Sequence, residues 1–246
     1  MKRYKCTISY DGAQFFGYQI QPNKRTVQEE IEKALANLHK GLHIRVTASG
    51  RTDTKVHAKG QVIHFDSPLS IPIHKWPVAL NSILPEDITV VDIKNTDAQF
   101  HARFDAVSKE YRYFIFLNKV RDPFKRFYTY HFPYGVDLQE MEEASKLMLG
   151  THDFTSFCSA KTETENKVRT MKEITLSKEN DMLVIRFVGN GFLYNMVRIL
   201  VGTLLEVGTG RREASSIPAI FERRDRSAGG KTAAPQGLYL WKVDYE

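Results

Sequence analysis

The chain has 246 residues, of which 42% are hydrophobic, 11% aromatic and 26% charged, and its formal net charge is +6. That length suits one large domain or two small ones, and 15 Phe with 11 Tyr are too many apolar rings for a disordered polymer. The longest apolar run, residues 196–205, is broken by Arg198 and falls short of the roughly 20 residues a bilayer span needs. The basic start Met1-Lys2-Arg3 leads into no apolar stretch, and Cys6 and Cys158 form neither a CxxC pair nor a disulfide framework. A reducing cytoplasm is the expected setting. Positive charge is clustered: residues 1–60 hold 11 Lys and Arg against 5 Asp and Glu, residues 103–126 hold 7 against 3, and residues 211–231 hold 6 against 3. A phosphate-tracking surface needs such clustering, although solvated charge that keeps a protein soluble also accounts for it.

In chain order, residues 4–10 alternate and read as a strand. A helix is predicted over residues 26–40, where Val27, Ile31, Leu35 and Leu38 recur at helical spacing. Thr26 and Glu29 form a capping-box signature at its start. Residues 44–48 and 61–65 read as strands around a polar, Gly-containing loop, residues 76–84 as a shorter helix, and residues 88–93 as a strand. The second half repeats the order. It has a strand at 111–117, a helix at 138–149 stopped by Gly150, strands at 173–177 and 183–188, a strongly apolar helix at 192–207, a short helical stretch at 214–221 and a final strand at 238–243. Two successive β-α-β-β-α-β units predict an α+β protein of two ferredoxin-like halves, residues 1–105 and 106–246. Two such sheets side by side leave a groove between the halves, where a ligand site is expected.

Several familiar chemistries are missing. Gly230-Lys231-Thr232 ends like a phosphate-binding loop, but the first glycine of that motif falls on Asp225. His39 and His43 have the spacing of a metal pair, yet Gly41 interrupts the helix and both read as solvated. Cys6 and Cys158 read as packed thiols, and no paired carboxylate cluster suggests a Mg²⁺-dependent nuclease. One loop stands apart: Ser49-Gly50-Arg51-Thr52-Asp53-Thr54-Lys55-Val56-His57-Ala58 sets a carboxylate between cations. Residue chemistry leaves two readings of Asp53 open. It is a turn or capping aspartate, or a carboxylate kept ionised by Arg51 and Lys55 that serves as nucleophile or base.

The order of motifs resolves more. Tyr10-Asp11-Gly12, Gln21-Pro22-Asn23, Thr26-Val27-Gln28, Ala48-Ser49-Gly50-Arg51-Thr52-Asp53, Val56-His57-Ala58 and Gly60-Gln61-Val62 come first. Phe100-His101-Ala102-Arg103-Phe104, Lys109-Glu110-Tyr111-Arg112-Tyr113 and Gly150-Thr151-His152-Asp153-Phe154 follow, then the run from Gly191 to Arg198 and Pro235-Gln236-Gly237-Leu238. From end to end, this series resembles the tRNA pseudouridine synthase A family. The resemblance implies two ferredoxin-like halves, a homodimer, no cofactor and no metal. It also implies isomerisation of uridine to pseudouridine in the tRNA anticodon stem-loop, at positions 38 to 40.

By the same resemblance, Asp53 matches the catalytic aspartate that initiates cleavage of the N1–C1′ bond. Tyr111 matches the ring that packs on the target uracil, and its hydroxyl is the candidate for removing the C5 proton. Arg198 matches the basic partner of the carboxylate, Leu238 an apolar wall of the uracil pocket, and Arg51 an arginine that fills the space of the flipped base. Lys55, Arg103 and Lys109 are further candidates for RNA contact. Two departures stand out: Thr54-Lys55 replaces a small residue and a glycine, and Tyr18 stands where tryptophan is common. The rival reading is a non-catalytic RNA-binding paralogue, against which the joint retention of Asp53, Tyr111 and Arg198 argues.

Overall fold

The computed structural model describes residues 1–162 and 164–246. They divide into two compact units, Met1–Val107 with Tyr239–Glu246, and Ser108–Leu238. The chain therefore leaves the first unit and returns to it for its last strand.

In the first unit, strand β1 (Lys2–Tyr10) buries Tyr4, Cys6, Ile8 and Tyr10 on alternate positions, as a half-buried strand must. Helix α1 (Val27–Leu38) buries Val27, Ile31 and Leu35 on the predicted stripe. Strands β2 (Thr47–Ala48) and β3 (His57–Ser67), helix α2 (Trp76–Asn81) and strand β4 (Ile88–Asn95) complete the expected order. The sheet runs β4-β1-β3 with antiparallel pairing, and β2 lies on β3. The core is aromatic: the fully buried Trp76 ring lies 4.8 Å from Tyr4 and 5.7 Å from Phe65.

Four expectations change here. Thr26 makes no side-chain cap; its hydroxyl is buried without a partner, and Glu29 pairs with Lys33 instead. The first amides of α1 donate to backbone carbonyls, Val27 to Gly17 and Gln28 to Tyr18, so no capping side chain is required. Strand β2 shrinks to two residues, while β3 begins four residues earlier than its alternation suggests. His39 is not solvated: it is buried, with its ring nitrogens on the Leu35 carbonyl and the Ser67 hydroxyl, while His43 bonds the buried Glu32. Finally, the last strand, β10 (Leu238–Tyr245), was expected in the second half. The structure groups residues 239–246 with the first unit, because β10 runs parallel to β3 at Tyr239↔His57 and Leu240↔Ala58. Gly60 permits this approach, since a Cβ there would lie 2.5 Å from the Trp241 carbonyl oxygen.

The second unit opens with strand β5 (Ala106–Phe116), whose residues from Lys109 onward pair antiparallel with β9 (Met182–Gly189). Strand β9 pairs with β8 (Val168–Glu179), and β8 with β7 (Gly150–Asp153). A two-residue strand, β6 (Tyr130–His131), pairs with β5. Helices α3 (Leu138–Lys146), α4 (Met196–Gly208) and α5 (Ile217–Arg223) complete the unit. The apolar helix predicted from residue 192 starts at Met196, because Asn195 takes a left-handed backbone (φ 62°) and ends the irregular turn before it. Cys6 and Cys158 are free and buried, and desolvation pushes both thiols up.

Helix α4 is buried all round, so something must cover each side. One cover is the chain at residues 229–231. Thr203 Oγ accepts the Gly230 N–H at 2.9 Å, and a Cβ on Gly202 would lie 1.7 Å from the Lys231 carbonyl oxygen. In an open helix Gly→Ala stabilises by about 1 kcal/mol. Here backbone meets backbone, and overpacking of about 1–3 kcal/mol reverses the sign. Gly202→Ala is expected to lower Tm by about 4–8 °C, taking about 2 kcal/mol as the net loss. A thermal scan showing an unchanged or higher Tm would refute this packing.

Candidate active site

The loop carrying Asp53 leaves β2 at Ala48 and enters β3 at His57. Its first turn is clamped to β3. The Ser49 N–H donates to the Val62 carbonyl at 2.8 Å, the Ser49 hydroxyl to Gln61 Oε1 at 2.7 Å, and Gln61 Nε2 to the Gly50 carbonyl at 2.7 Å. Ser49 and Gln61 are fully buried, so these bonds are shielded from water.

The next residues rest on the segment from Tyr10 to Tyr18. Thr52 Oγ1 shares a 2.7 Å hydrogen bond with the Tyr10 hydroxyl, and the Thr52 carbonyl accepts the Tyr18 N–H at 3.0 Å. Burial pushes the Tyr10 hydroxyl up to about 12, which keeps it protonated at neutral pH. Beyond Asp53, the Lys55 N–H donates to the Phe15 carbonyl at 3.2 Å and the Val56 N–H to the Asp53 carbonyl at 3.1 Å. Two glycines let the backbones meet. A Cβ on Gly12 would lie 2.1 Å from the Val56 oxygen, and one on Gly17 (φ +92°) would lie 2.9 Å from the Thr52 oxygen. His57 closes the arrangement: its buried Nδ1 accepts the Gly12 N–H at 2.9 Å, and its ring stacks on Tyr239 at 4.5 Å.

Asp53 is thus half-buried on a main chain fixed on both sides. Arg51 and Lys55 flank it, both exposed and neither in an ion pair among the described residues. Lys55 holds a left-handed backbone, φ +64°, which glycine adopts without strain and lysine does not. Lys55 therefore adds a positive side chain at a backbone angle suited to glycine.

Arg103 is not brought to this loop. It sits in the turn before β5, where its N–H donates to His101 Nδ1 and the neighbouring Ala102 N–H donates to His64. His64 and His57 are seven residues apart on β3, about 23 Å at strand rise.

In the second unit, Lys109, Tyr111 and Tyr113 share one face of β5. Tyr111 is buried and meets Phe192 edge-on at 4.9 Å. The Tyr113 hydroxyl donates to the Ala234 carbonyl at 2.6 Å. Arg198, in the first turn of α4, donates from Nε to the Ala233 carbonyl and from Nη1 to Asn195 Oδ1, both at 2.8 Å. The 233–234 segment thereby joins Arg198 to the strand that carries Tyr111. Leu238 is buried just beyond it, after Gly237, where a Cβ would lie 2.8 Å from the Phe114 oxygen. Within this unit, then, one hydrogen-bond network joins Arg198 to the 233–234 segment and to Tyr113, two residues along β5 from Tyr111.

Sequence reasoning named neither the Tyr10–Tyr18 support nor Tyr113 and Asn195 as parts of a site. The available signal was glycine beside aromatic residues, in Tyr10-Asp11-Gly12 and Phe16-Gly17-Tyr18. Among the described residues, no group of three or more His, Cys, Asp or Glu side chains is placed to hold a metal ion. No helix of the described residues is long and apolar enough to cross a membrane.

A family model described as tRNA pseudouridine synthase matches residues 7–105 and 144–246. A protein of Geobacillus sp. called tRNA pseudouridine synthase A is 58% identical over 245 residues, covering 100% of this chain and 99% of its own length. The protein of the same name from Bacillus subtilis is also 58% identical, covering 99% of each chain. One from Bacillus cereus, called tRNA pseudouridine synthase A 1, is 56% identical over 100% of this chain and 99% of its own length. With the family match spanning most of both units and these relatives aligned over their whole length, the chain belongs to the tRNA pseudouridine synthase A family of isomerases.

Proposed function

We propose that this enzyme isomerises uridine to pseudouridine in the anticodon stem-loop of tRNA, at positions 38 to 40, as a cytoplasmic homodimer that uses no cofactor. The observation that carries the reading is the Asp53 loop. It holds a half-buried carboxylate on a fixed backbone, beside two cations that no described carboxylate neutralises. RNA phosphates supply the missing counter-charge.

A base cannot be detached and rejoined inside a stack, so the uridine must first be extruded. Asp53 then initiates cleavage of N1–C1′, by attack on the sugar or by proton abstraction. The freed uracil turns and C5 bonds to C1′. The C5 proton leaves at the Tyr111 hydroxyl and N1 takes up a proton, so the product is an isomer of the substrate. The Arg198 guanidinium, oriented by Ala233 and Asn195, favours the ionised carboxylate, and Leu238 supplies an apolar wall to the uracil. Arg51, Lys55 and Lys109 contact RNA around the reacting nucleotide, and Arg103 a part of the RNA farther along. A non-catalytic paralogue is the weaker reading, because Asp53, Tyr111 and Arg198 are all present.

Asp53→Asn is expected to leave less than a tenth of the wild-type rate while tRNA affinity stays within about two-fold, because phosphate contacts dominate binding. The assay is tritium release from C5 of uridine in a tRNA transcript, with binding measured separately. Retention of more than a tenth of the rate would remove Asp53 from its role. Tyr111→Phe keeps the ring and loses only the hydroxyl, so RNA should remain bound with little tritium released. Normal release would identify another base. Lys55→Gly separates backbone from charge. Relief of the left-handed lysine is expected to raise Tm by about 2–4 °C, for about 1 kcal/mol gained. The slope of log K against log[salt] should fall in magnitude by about 0.7–0.9, the value for one lost phosphate contact. An unchanged slope would mean that Lys55 touches no phosphate.

A further inference from the structure

Phe16 is placed where burial does not explain it. Its neighbours Phe15 and Tyr18 are each 2% exposed, whereas Phe16 is 44% exposed. Its backbone is nevertheless fixed: the Phe16 N–H donates to the Arg25 carbonyl at 3.0 Å, and its own carbonyl accepts Gln21 Nε2 at 2.7 Å. The residue before it receives the Lys55 N–H, and the residue after it abuts the carbonyls of Thr52 and Asp53. The ring is therefore held on a rigid segment, one residue away from both supports of the Asp53 loop. The Lys24 ammonium lies 4.4 Å from the ring centroid, and Lys24 has no carboxylate partner among the described residues. Arg51 and Lys55 add two more exposed cations on the supported loop itself.

An exposed aromatic ring next to unneutralised cations suits a nucleotide, whose base offers a π-face and whose phosphate offers the charge. A second copy of this chain would bring the same positive charge to the patch and is disfavoured there. We propose that Phe16 and Lys24 form a subsite for the nucleotide adjoining the one that reacts. The ring stacks on the base left unstacked when the uridine is extruded, and the ammonium contacts its phosphate. The inference rests on the reading of the protein as an RNA-modifying isomerase, and it adds a residue that sets how the flanking nucleotide is recognised.

The test uses the full-length protein, a pre-folded anticodon stem-loop RNA, and the variants Phe16→Ala, Phe16→Leu, Phe16→Trp and Lys24→Ala. Loss of one stacked base corresponds to a weakening of about 5- to 150-fold. Phe16→Ala and Phe16→Leu are expected to raise Kd and KM within that range, with kcat falling less than KM rises. Phe16→Trp should restore affinity, and the fluorescence of its new indole should be quenched by the RNA. Lys24→Ala should weaken binding and flatten its salt dependence. Affinity of Phe16→Leu within two-fold of wild type would overturn stacking, because leucine keeps apolar area and loses only the π-face. A lower oligomeric mass for Phe16→Ala without RNA would also overturn the proposal, by assigning the ring to a contact between copies. Thermal scans of every variant separate these outcomes from misfolding. The same affinities measured in an Asp53→Asn background keep the two readings apart. Dependence on Phe16 that persists there supports the subsite whether or not the wild type releases tritium, and absence of tritium release from the wild type counts against the isomerase reading only.

Discussion

The first unit is organised by the contact of two stretches of main chain, residues 10–18 and residues 52–57, whose backbones meet directly at Gly12 and Gly17. Such closeness requires glycine at positions 12 and 17, since a Cβ at either would enter the space of a carbonyl oxygen. It also requires that the buried amides and carbonyls find partners, because an unsatisfied one costs about 1–3 kcal/mol. Thr52, Lys55 and Val56 all meet that requirement through backbone bonds. The same segment serves α1, whose first amides bond to the carbonyls of Gly17 and Tyr18. One stretch of chain thus ends β1, starts α1 and seats Asp53. Each bond contributes only about 1 kcal/mol net, so the main effect is positional: movement of Asp53 would require breaking several bonds together.

How much of this could be read beforehand depended on how local the cause was. The alternation of Tyr4, Cys6, Ile8 and Tyr10 and the stripe Val27, Ile31, Leu35 are local patterns, and both elements appear where those patterns lie. The Thr26–Glu29 signature forms no cap because backbone carbonyls from residues 17 and 18 occupy the donors a capping side chain would serve. Strand β3 starts early because His57 and Ala58 pair with Tyr239, Leu240 and Tyr10, residues 48 to 182 positions away that no local window contains. Helix α4 starts four residues later than its hydropathy predicts because hydropathy is blind to the left-handed Asn195. At the site, residue chemistry singled out the Asp53 loop without fixing the role of Asp53. The resemblance supplied candidate roles, and the Gly12 and Gly17 contacts were invisible until backbone met backbone.

A second kind of order lies in the charges. Some cations of the first unit are matched: Arg3 with Asp66, Arg25 with Asp87, and Lys33 with Glu29 and Glu30. Arg3 and Arg25 form two-pronged pairs, in which each guanidinium donates to both carboxylate oxygens. Lys24, Arg51 and Lys55 lack such partners among the described residues and are exposed. A net charge of +6 does not say which cations are paired; the ion pairs do.

The distinction matters because a carboxylate is a poor companion for a polyanion. The Asp53 carboxylate repels an approaching phosphate. Arg51 and Lys55, two residues to either side, give residues 51–55 two positive charges against one negative. The loop is therefore net positive while carrying an anion. Both cations are exposed, so their attraction acts at long range and is screened by salt. The carboxylate is half-buried and held by the main chain, so its placement is set by hydrogen bonds that salt does not weaken in the same way. Net charge and carboxylate placement thus rest on different forces within five residues. The Lys55 side chain adds a charge to the rim from a backbone angle suited to glycine, within the turn that carries Asp53.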